Sequence, residues 1–515
     1  MTAGYSDLKP DKVYNSLVGY GMFSEKLPPC FTSEDLLSIT DKNLNQYLNE
    51  NSGKYAEHSC VDFMSQRNTN IPRIISVPHP EPYMYLCRFM KEKWTDINTF
   101  IGGNVGENKI SFVHVKKIKK DKKIFKMNYK GYEGNIIQET LRTQYLLEAK
   151  YIVHADIANC FPSIYSHSIE WAVDGKNAAK KNLKVKPKNK SWAKELDQKN
   201  ICIKDKETNG LLIGPHTSNI ISEIILTTVD KALLDNSYTR IIRNIDDYEY
   251  FASSLEEAEQ FLACLMRELR KFELNINHKK TKTVKIFSKD DVSWICQLNQ
   301  FHFPNEVLSF STIDAFVEYA LALQQKHHDS AIINYAIKII ANKKLNKRAK
   351  KLYTLKMMSI AKTFPYLVPL LEEFVFGVFH YPEMADDLGL FLNLAFKDSI
   401  NSFMPDLAAF SIYLAITFKL KIELLERQAT IEAIIKRDDC IEMAMLYHYL
   451  LQHKKTAFRD LIKEAATLKL KGDPREKDRH WILLYELFSE AELLAEGVHF
   501  LAKLKKKKIC FIKFR

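Results

Sequence analysis

Ile241-Ile242-Arg243-Asn244-Ile245-Asp246-Asp247-Tyr248-Glu249-Tyr250-Phe251 sets two short β-like runs on either side of an acid pair. Apolar residues recur on both arms and nothing but acids marks the join, which predicts a β-hairpin with two carboxylates at its tip. Like charges held there repel, and a divalent cation relieves the repulsion. The dipeptide alone decides nothing. Asp-Asp also stands at 290–291, 386–387 and 438–439, where it reads as helix caps or polar loops. A solvated hairpin tip is the plain alternative at 246–247.

A second carboxylate upstream changes the balance. Asp156 ends the strand-like run Tyr151-Ile152-Val153-His154-Ala155 and is followed by Phe161-Pro162-Ser163-Ile164-Tyr165. An acid at the end of one buried strand, beside an acid pair on a neighbouring hairpin, suits two-metal phosphoryl transfer. Such chemistry needs two Mg²⁺ ions about 4 Å apart sharing bridging oxygens, and few protein carboxylates suffice because water and substrate phosphates complete the shell. Between the acids lies Gly210-Leu211-Leu212-Ile213-Gly214-Pro215-His216-Thr217-Ser218, a loop opening a helix, where glycine lets backbone approach a base pair or phosphate. After them comes Leu274-x-Ile276-Asn277-x-x-Lys280-Thr281, a strand-like end with a lysine placed to meet phosphate.

Composition agrees with a folded chain that meets a polyanion. The 515 residues are 46% hydrophobic and 27% charged, with only 16 Gly and 16 Pro, which excludes collagen-like and largely disordered classes. Lys+Arg total 75 against 63 Asp+Glu, a net charge of +12. Lys116–Lys130 and Lys176–Lys194 each hold eight lysines, and Lys505–Lys508 form a third basic tract. Any one of them reads equally well as solvated surface. Two of them flanking the acid motifs favour a phosphate-facing groove. Nine cysteines without a C-x-x-C pair indicate neither zinc knuckle nor disulfide framework, and a reducing cytosol is expected. His327-His328-Asp329 and the pair His448, His453 lack a third converging ligand, so no structural metal is expected. Met1–Ser24 lacks a secretory pattern, and the best apolar stretch, Tyr366–Phe379, is broken by Pro369 and Glu372-Glu373, so no membrane partner is expected.

The two halves differ in texture. Residues 1–65 read as a mostly helical N-terminal extension. Residues 66–304 alternate strands with helices, and 305–515 read as helices almost throughout. In the last part Ile332, Ile333, Ala336, Ile337 and Ile340 share one helical face, as do Met443, Leu446, Tyr447, Leu450 and Leu451. Asp473-Pro474 reads as an N-cap followed by proline at the first helical position. No strict repeat period is present, so no repeat family is assigned.

In order, Asp156 with Phe161, Gly214-Pro215 with Ser218, Asp246-Asp247, and Ile276-Asn277-x-x-Lys280-Thr281 resemble motifs A, B, C and D of reverse transcriptases, over about 73–287. Within them, Asp156–Ser168 and Ile213–Glu223 resemble the abortive-infection, phage-defence group typified by AbiK. The resemblance implies an α+β right-hand palm and fingers with an antiparallel sheet, followed by an α-helical repeat domain in place of a thumb. It implies that Asp156, Asp246 and Asp247 are catalytic and ligate Mg²⁺ or Mn²⁺, with the Ile157 carbonyl as an extra ligand. Phe161 would be the steric gate against a 2′-hydroxyl. Gly214, Pro215 and Ser218 would line the nascent pair, Lys280 would meet departing pyrophosphate, and Arg73 the triphosphate.

The partners implied are deoxynucleoside triphosphates, a DNA product attached to the protein, RNA if synthesis is templated, and further copies of the chain in a homo-oligomer, all in the bacterial cytoplasm. Two departures touch the surface where template and primer pair. The glutamine usual before the motif B glycine is Ile213, and the aromatic usual two residues before the acid pair is Asn244. They fit the group's untemplated, protein-primed synthesis, for which Tyr5, Tyr14 and Tyr20 are candidates on an N-terminal arm, each also readable as ordinary packing. The rivals are an RNA-templated reverse transcriptase and a catalytically silent nucleic-acid scaffold. Three retained like charges speak against silence.

Overall fold

The computed structural model describes residues 6–39, 44, 57–66, 72–106, 110–111, 132–182, 191–287, 294–304, 306–329 and 331–514. The basic tract 116–130 and positions 183–190 of the second tract lie outside the described residues, as does Tyr5.

Helix α1 (Pro10–Tyr20) starts with proline in its first turn, where the missing N–H costs nothing, and buries Val13, Tyr14, Leu17 and Val18. Strands β1 (Cys60–Ser65) and β2 (Arg73–Pro78) form an antiparallel hairpin, Cys60 opposite Pro78 and Ser65 opposite Arg73. Helix α2 (Pro80–Glu92) follows directly and packs on α1.

The central sheet has four antiparallel strands in the order β4-β5-β3-β6: β3 is Tyr151–Asp156, β4 Ile241–Asn244, β5 Asp247–Ala252 and β6 Lys282–Lys285. Both faces are covered. Val153, Ala155, Ile241, Tyr248 and Tyr250 join the main core. That core includes α3 (His216–Asp235) and α4 (Leu255–Arg270), and α4 packs on both β3 and β5. Ile152, Ile242 and Phe251 form a smaller cluster on the other side, beneath Leu141, Tyr145 and Leu146 of the helix Tyr132–Leu146. Two covered faces explain the apolar runs in β3, β4 and β5, whereas the edge strand β6 is Lys-Thr-Val-Lys. Helix α4 is closed by local chemistry: Ser254 accepts a hydrogen bond from the Glu257 N–H, acids occupy its first turn, and Arg267 and Arg270 its last.

Beyond Val307 the described elements are helices, apart from the two-residue strands Val307–Leu308 and Lys344–Leu345. The expected face of Ile332, Ile333, Ala336, Ile337 and Ile340 is buried in the helix Ala331–Ala341. In α5 (Cys440–Gln452) the apolar stripe is narrower than expected: Met443, Leu446 and Leu450 are buried, whereas Leu451 is 45% exposed. Asp473 caps α6 (Pro474–Arg479), its side chain accepting from the Glu476 N–H, as the sequence predicts.

The chain closes on itself. Strand β1 packs against α5, α6 and the helix Pro405–Phe418. Thr32 N–H donates to the Phe511 carbonyl (2.8 Å) and Lys513 N–H to the Cys30 carbonyl (2.8 Å). This corrects the view of the N-terminal segment as an arm free to reach the acids. Its described residues are built into the core: α1 packs on the 3-10 turn Glu34–Ser38 and on α2, and the segment also meets the last residues of the chain. The expected boundary at 65/66 falls at the end of β1, whose partner strand lies beyond it. All nine cysteines are unpaired. No helix among the described residues is long and apolar enough to cross a membrane.

Candidate active site

Strand register builds the site. β3 and β5 pair with Tyr151 opposite Ala252 and, at the other end, Asp156 opposite Asp247. β4 and β5 close a hairpin with Asn244 opposite Asp247, leaving Ile245 and Asp246 as its turn. The two strands therefore bring three carboxylates to one end of the sheet. Ile157 N–H donates to the Asp246 carbonyl (3.1 Å), which ties the turn to the residue after Asp156.

The acids are not equivalent. Asp156 is buried and held at both oxygens: Lys280 Nζ lies 2.9 Å from Oδ1 and Asn277 Nδ2 2.9 Å from Oδ2. Its carbonyl accepts from the Asn277 N–H, so the segment after α4 reads Asp156 through both backbone and side chain. Asp246 is half-buried. Loss of water raises its carboxyl and so does the charge of Asp156, while Lys280 and Arg73 pull it down. Loss of water around the carboxyl, then the charges of Asp246 and Asp156, push the more exposed Asp247 up to about 7. Burial first, and repulsion between the acids second, thus both work against full ionisation of Asp246 and Asp247.

The sequence-predicted residues fall around this cluster. Lys280 is at its centre, with its side chain 60% exposed. Arg73 opens β2, its charge felt at Asp246. The Ile157 carbonyl has no donor among the described residues. Phe161 sits half-buried on the short turn Cys160–Ser163, and its carbonyl accepts from the Leu211 N–H (2.8 Å), joining the Asp156 segment to the glycine loop. Gly214 has φ +140°, and a Cβ there would lie 2.8 Å from the Ser76 carbonyl oxygen, so the position requires glycine. Pro215 precedes the first residue of α3. Ser218 is 1% exposed and its hydroxyl has no partner among the described residues. It faces the packed side of α3.

Of the tyrosines, Tyr14 is buried against α2, and Tyr20 donates to Glu34 Oε1 (2.9 Å), burial and that carboxylate pushing its pKa up to about 12.

Residues 104–312 match the family model described as "Reverse transcriptase (RNA-dependent DNA polymerase)". This part of the chain is a reverse transcriptase domain. The match takes in all three carboxylates, the glycine loop and Lys280. Solved telomerase structures from Candida tropicalis are similar. The apo enzyme lacking its C-terminal domain is 13% identical, with 49% of this chain and 56% of that chain covered and a TM-score of 0.32. The enzyme in complex with a fragment of telomeric RNA is 14% identical over 70% and 65% of the two chains, with a TM-score of 0.34. The apo enzyme is 13% identical over 87% and 77%, also with a TM-score of 0.34. The chain thus spans less than two thirds of the first two. No curated protein matches it in sequence.

Sequence reading missed three things here. Asn277 carries no chemical signal of its own in the sequence, yet its amide holds Asp156. Arg243, Glu223 and Asp230 form a wholly buried ionic group behind the turn, with Arg243 Nη1 2.8 Å from Glu223 Oε1 and Nη2 2.7 Å from Asp230 Oδ2. The signal was available: single charges inside the apolar runs of β4 and α3, with Glu223 and Asp230 seven apart on one helical face. His58, His79 and Glu81 also converge, with Asp478 beside them, from segments about 400 residues apart.

Proposed function

We propose that the chain is a phage-defence DNA polymerase of the reverse transcriptase type, adding deoxynucleotides by two-metal nucleotidyl transfer without a supplied template and from a hydroxyl of its own. The observation that supports the polymerase chemistry is the register placing Asp156 beside Asp247 with Asp246 on the adjoining turn. Defence, untemplated synthesis and protein priming rest on the resemblance of residues 156–168 and 213–223 to the abortive-infection group, and on Ile213 and Asn244 at the template-facing positions. Deoxynucleotide partners, assembly of several copies and work in the bacterial cytoplasm belong to the same reading, as does the division into fingers and palm (66–304) and a helical domain (305–515).

The donor set fits Mg²⁺ or Mn²⁺. Carboxylates of Asp156, Asp246 and Asp247 and the open carbonyl of Ile157 are hard oxygen ligands, and the ammonium of Lys280 already stands on Asp156 as a cation does. Bound there, the ions would activate the attacking hydroxyl and stabilise charge on the phosphates. The chain's own residues do the rest. Asn277 keeps Asp156 in one rotamer. Phe161 puts a ring under the sugar, where a 2′-hydroxyl clashes. Lys280, its side chain partly open to solvent, carries a positive charge and a proton toward the departing pyrophosphate, and Arg73 adds a second charge for the triphosphate. Asp246→Asn removes one ligand and keeps the turn's shape, so it abolishes incorporation while circular dichroism stays unchanged. Retained incorporation by that variant overturns the mechanism.

The description of the matched family favours one second reading, an RNA-templated enzyme. Product sequence that follows an added RNA decides for it.

A further inference from the structure

We infer that Arg243 is a positioning residue that fixes the carboxylate turn to helix α3, so that the metal-binding geometry of Asp246 and Asp247 depends on a guanidinium that touches neither. The inference rests on the polymerase reading above and adds to it a residue that holds the site in shape.

Arg243 is 0% exposed, and each of its five N–H donors has an acceptor. Nε lies 3.0 Å from both carboxylate oxygens of Asp230, and Nη2 2.7 Å from Asp230 Oδ2 and 3.2 Å from Glu223 Oε2. Nη1 divides its two protons between Glu223 Oε1 and the carbonyl of Ile245, both at 2.8 Å. Glu223 and Asp230 are themselves held, by Ser111 Oγ at 3.0 Å and Tyr248 Oη at 3.0 Å. Four of the five donors therefore anchor to α3 and one reaches forward to the turn.

That one bond falls where the backbone needs it. Ile245 has φ +59°, the left-handed region that a β-branched residue adopts only under constraint, at a cost of about 1–3 kcal/mol. The two-residue hairpin turn itself asks for positive φ at this position, and the Arg243 bond helps hold a β-branched residue there, so its loss loosens the turn that carries Asp246 and leads into Asp247. Helix α3 begins directly after Gly214 and Pro215 and runs 20 residues. The helix that follows the loop expected to receive the nascent pair is thus tied through Arg243 to the turn expected to hold the metals.

Lysine cannot replace this joint. Its three donors leave one point charge and cannot span two carboxylates and the carbonyl. Arg243→Lys keeps the buried charge balance, whereas Arg243→Ala strands two carboxylates and is not a usable test. The experiment measures Mn²⁺ binding to the full chain by electron paramagnetic resonance, without substrate, alongside circular dichroism and thermal midpoint. Arg243→Lys lowers Mn²⁺ affinity at least tenfold while remaining folded. Adding Ile245→Gly to it restores affinity in part, because glycine accepts positive φ without a tether. Should Arg243→Lys not fold, Glu223→Gln, which keeps the guanidinium and weakens one anchor, carries the same test with a smaller loss. Wild-type affinity in the folded variant, or a loss that Ile245→Gly leaves untouched, overturns the inference. Failure of the wild-type chain to bind Mn²⁺ is a different result and counts against the polymerase reading.

Discussion

Replacing His58 by glutamine tests how the two ends of the chain are held together. His58 Nδ1 lies 2.8 Å from Asp478 Oδ1 on α6, and Nε2 lies 3.2 Å from Glu81 Oε2 on α2. Its ring stacks on that of His79 at 3.8 Å. Burial alone lowers the pKa of His58, but hydrogen bonds to Asp478 and Glu81 outweigh it and raise the value from 6.5 to about 9. His79, fully buried and beside that charge, is pushed well below its usual range and stays neutral.

A folded pKa raised above the unfolded one contributes stability that is complete below about pH 6.5 and is lost as pH rises to about 9. The shift corresponds to about 3 kcal/mol at most, less what water recovers at a ring still 23% exposed. His58→Gln keeps a side chain of similar reach and removes the titratable charge. Urea unfolding followed by circular dichroism at pH 6, 7.5 and 9 reads the difference between the two proteins, so groups common to both cancel. The variant is less stable by about 1–3 kcal/mol at pH 6, and the gap shrinks to within about 0.5 kcal/mol at pH 9. A gap that does not change with pH refutes the argument that a shared proton joins α2 to α6.

Three further outcomes follow from the site. Gly214→Ala forces a Cβ to 2.8 Å from the Ser76 carbonyl at φ +140° and lowers stability by about 1–3 kcal/mol in thermal unfolding; an unchanged midpoint contradicts that geometry. Phe161→Ala opens the space under the sugar and reduces discrimination against ribonucleotides about tenfold or more, read as the ratio of kcat/KM for the two nucleotides; unchanged discrimination removes Phe161 from that role. Saturating Mg²⁺ raises the thermal midpoint of the wild-type chain, by the equivalent of about 2.7 kcal/mol at a hundred times Kd, and does not raise that of Asp246→Asn.

The hairpin of 241–251 was readable because its apolar residues and its acids are all local. So was the strand ending at Asp156. Their side-by-side placement, Asp156 opposite Asp247, was not, because pairing across about 90 residues depends on register that no local pattern encodes. The right-hand plan came from the order of four motifs. What remained illegible is long-range. Cys30 and Thr32 meet Lys513 and Phe511, and His58 meets Asp478, so much of what the N-terminal segment packs against lies more than 400 residues away. The burial of Ser218 was illegible for a simpler reason: motif order says nothing of which way a side chain turns on the helix that begins at His216. Arg243 was visible as a charge between isoleucines and could have been flagged as a buried ion pair, though not as a partner of the Ile245 carbonyl.

The central claim is that three carboxylates at one sheet end transfer nucleotides. The most direct measurement mixes nuclease-treated protein with Mg²⁺ and labelled deoxynucleotides, with no template or primer, and resolves the products on a denaturing gel with and without protease. The account predicts label that migrates with the protein, is freed by protease, and is absent with Asp246→Asn. No incorporation under any combination of metal, RNA, DNA and primer contradicts it.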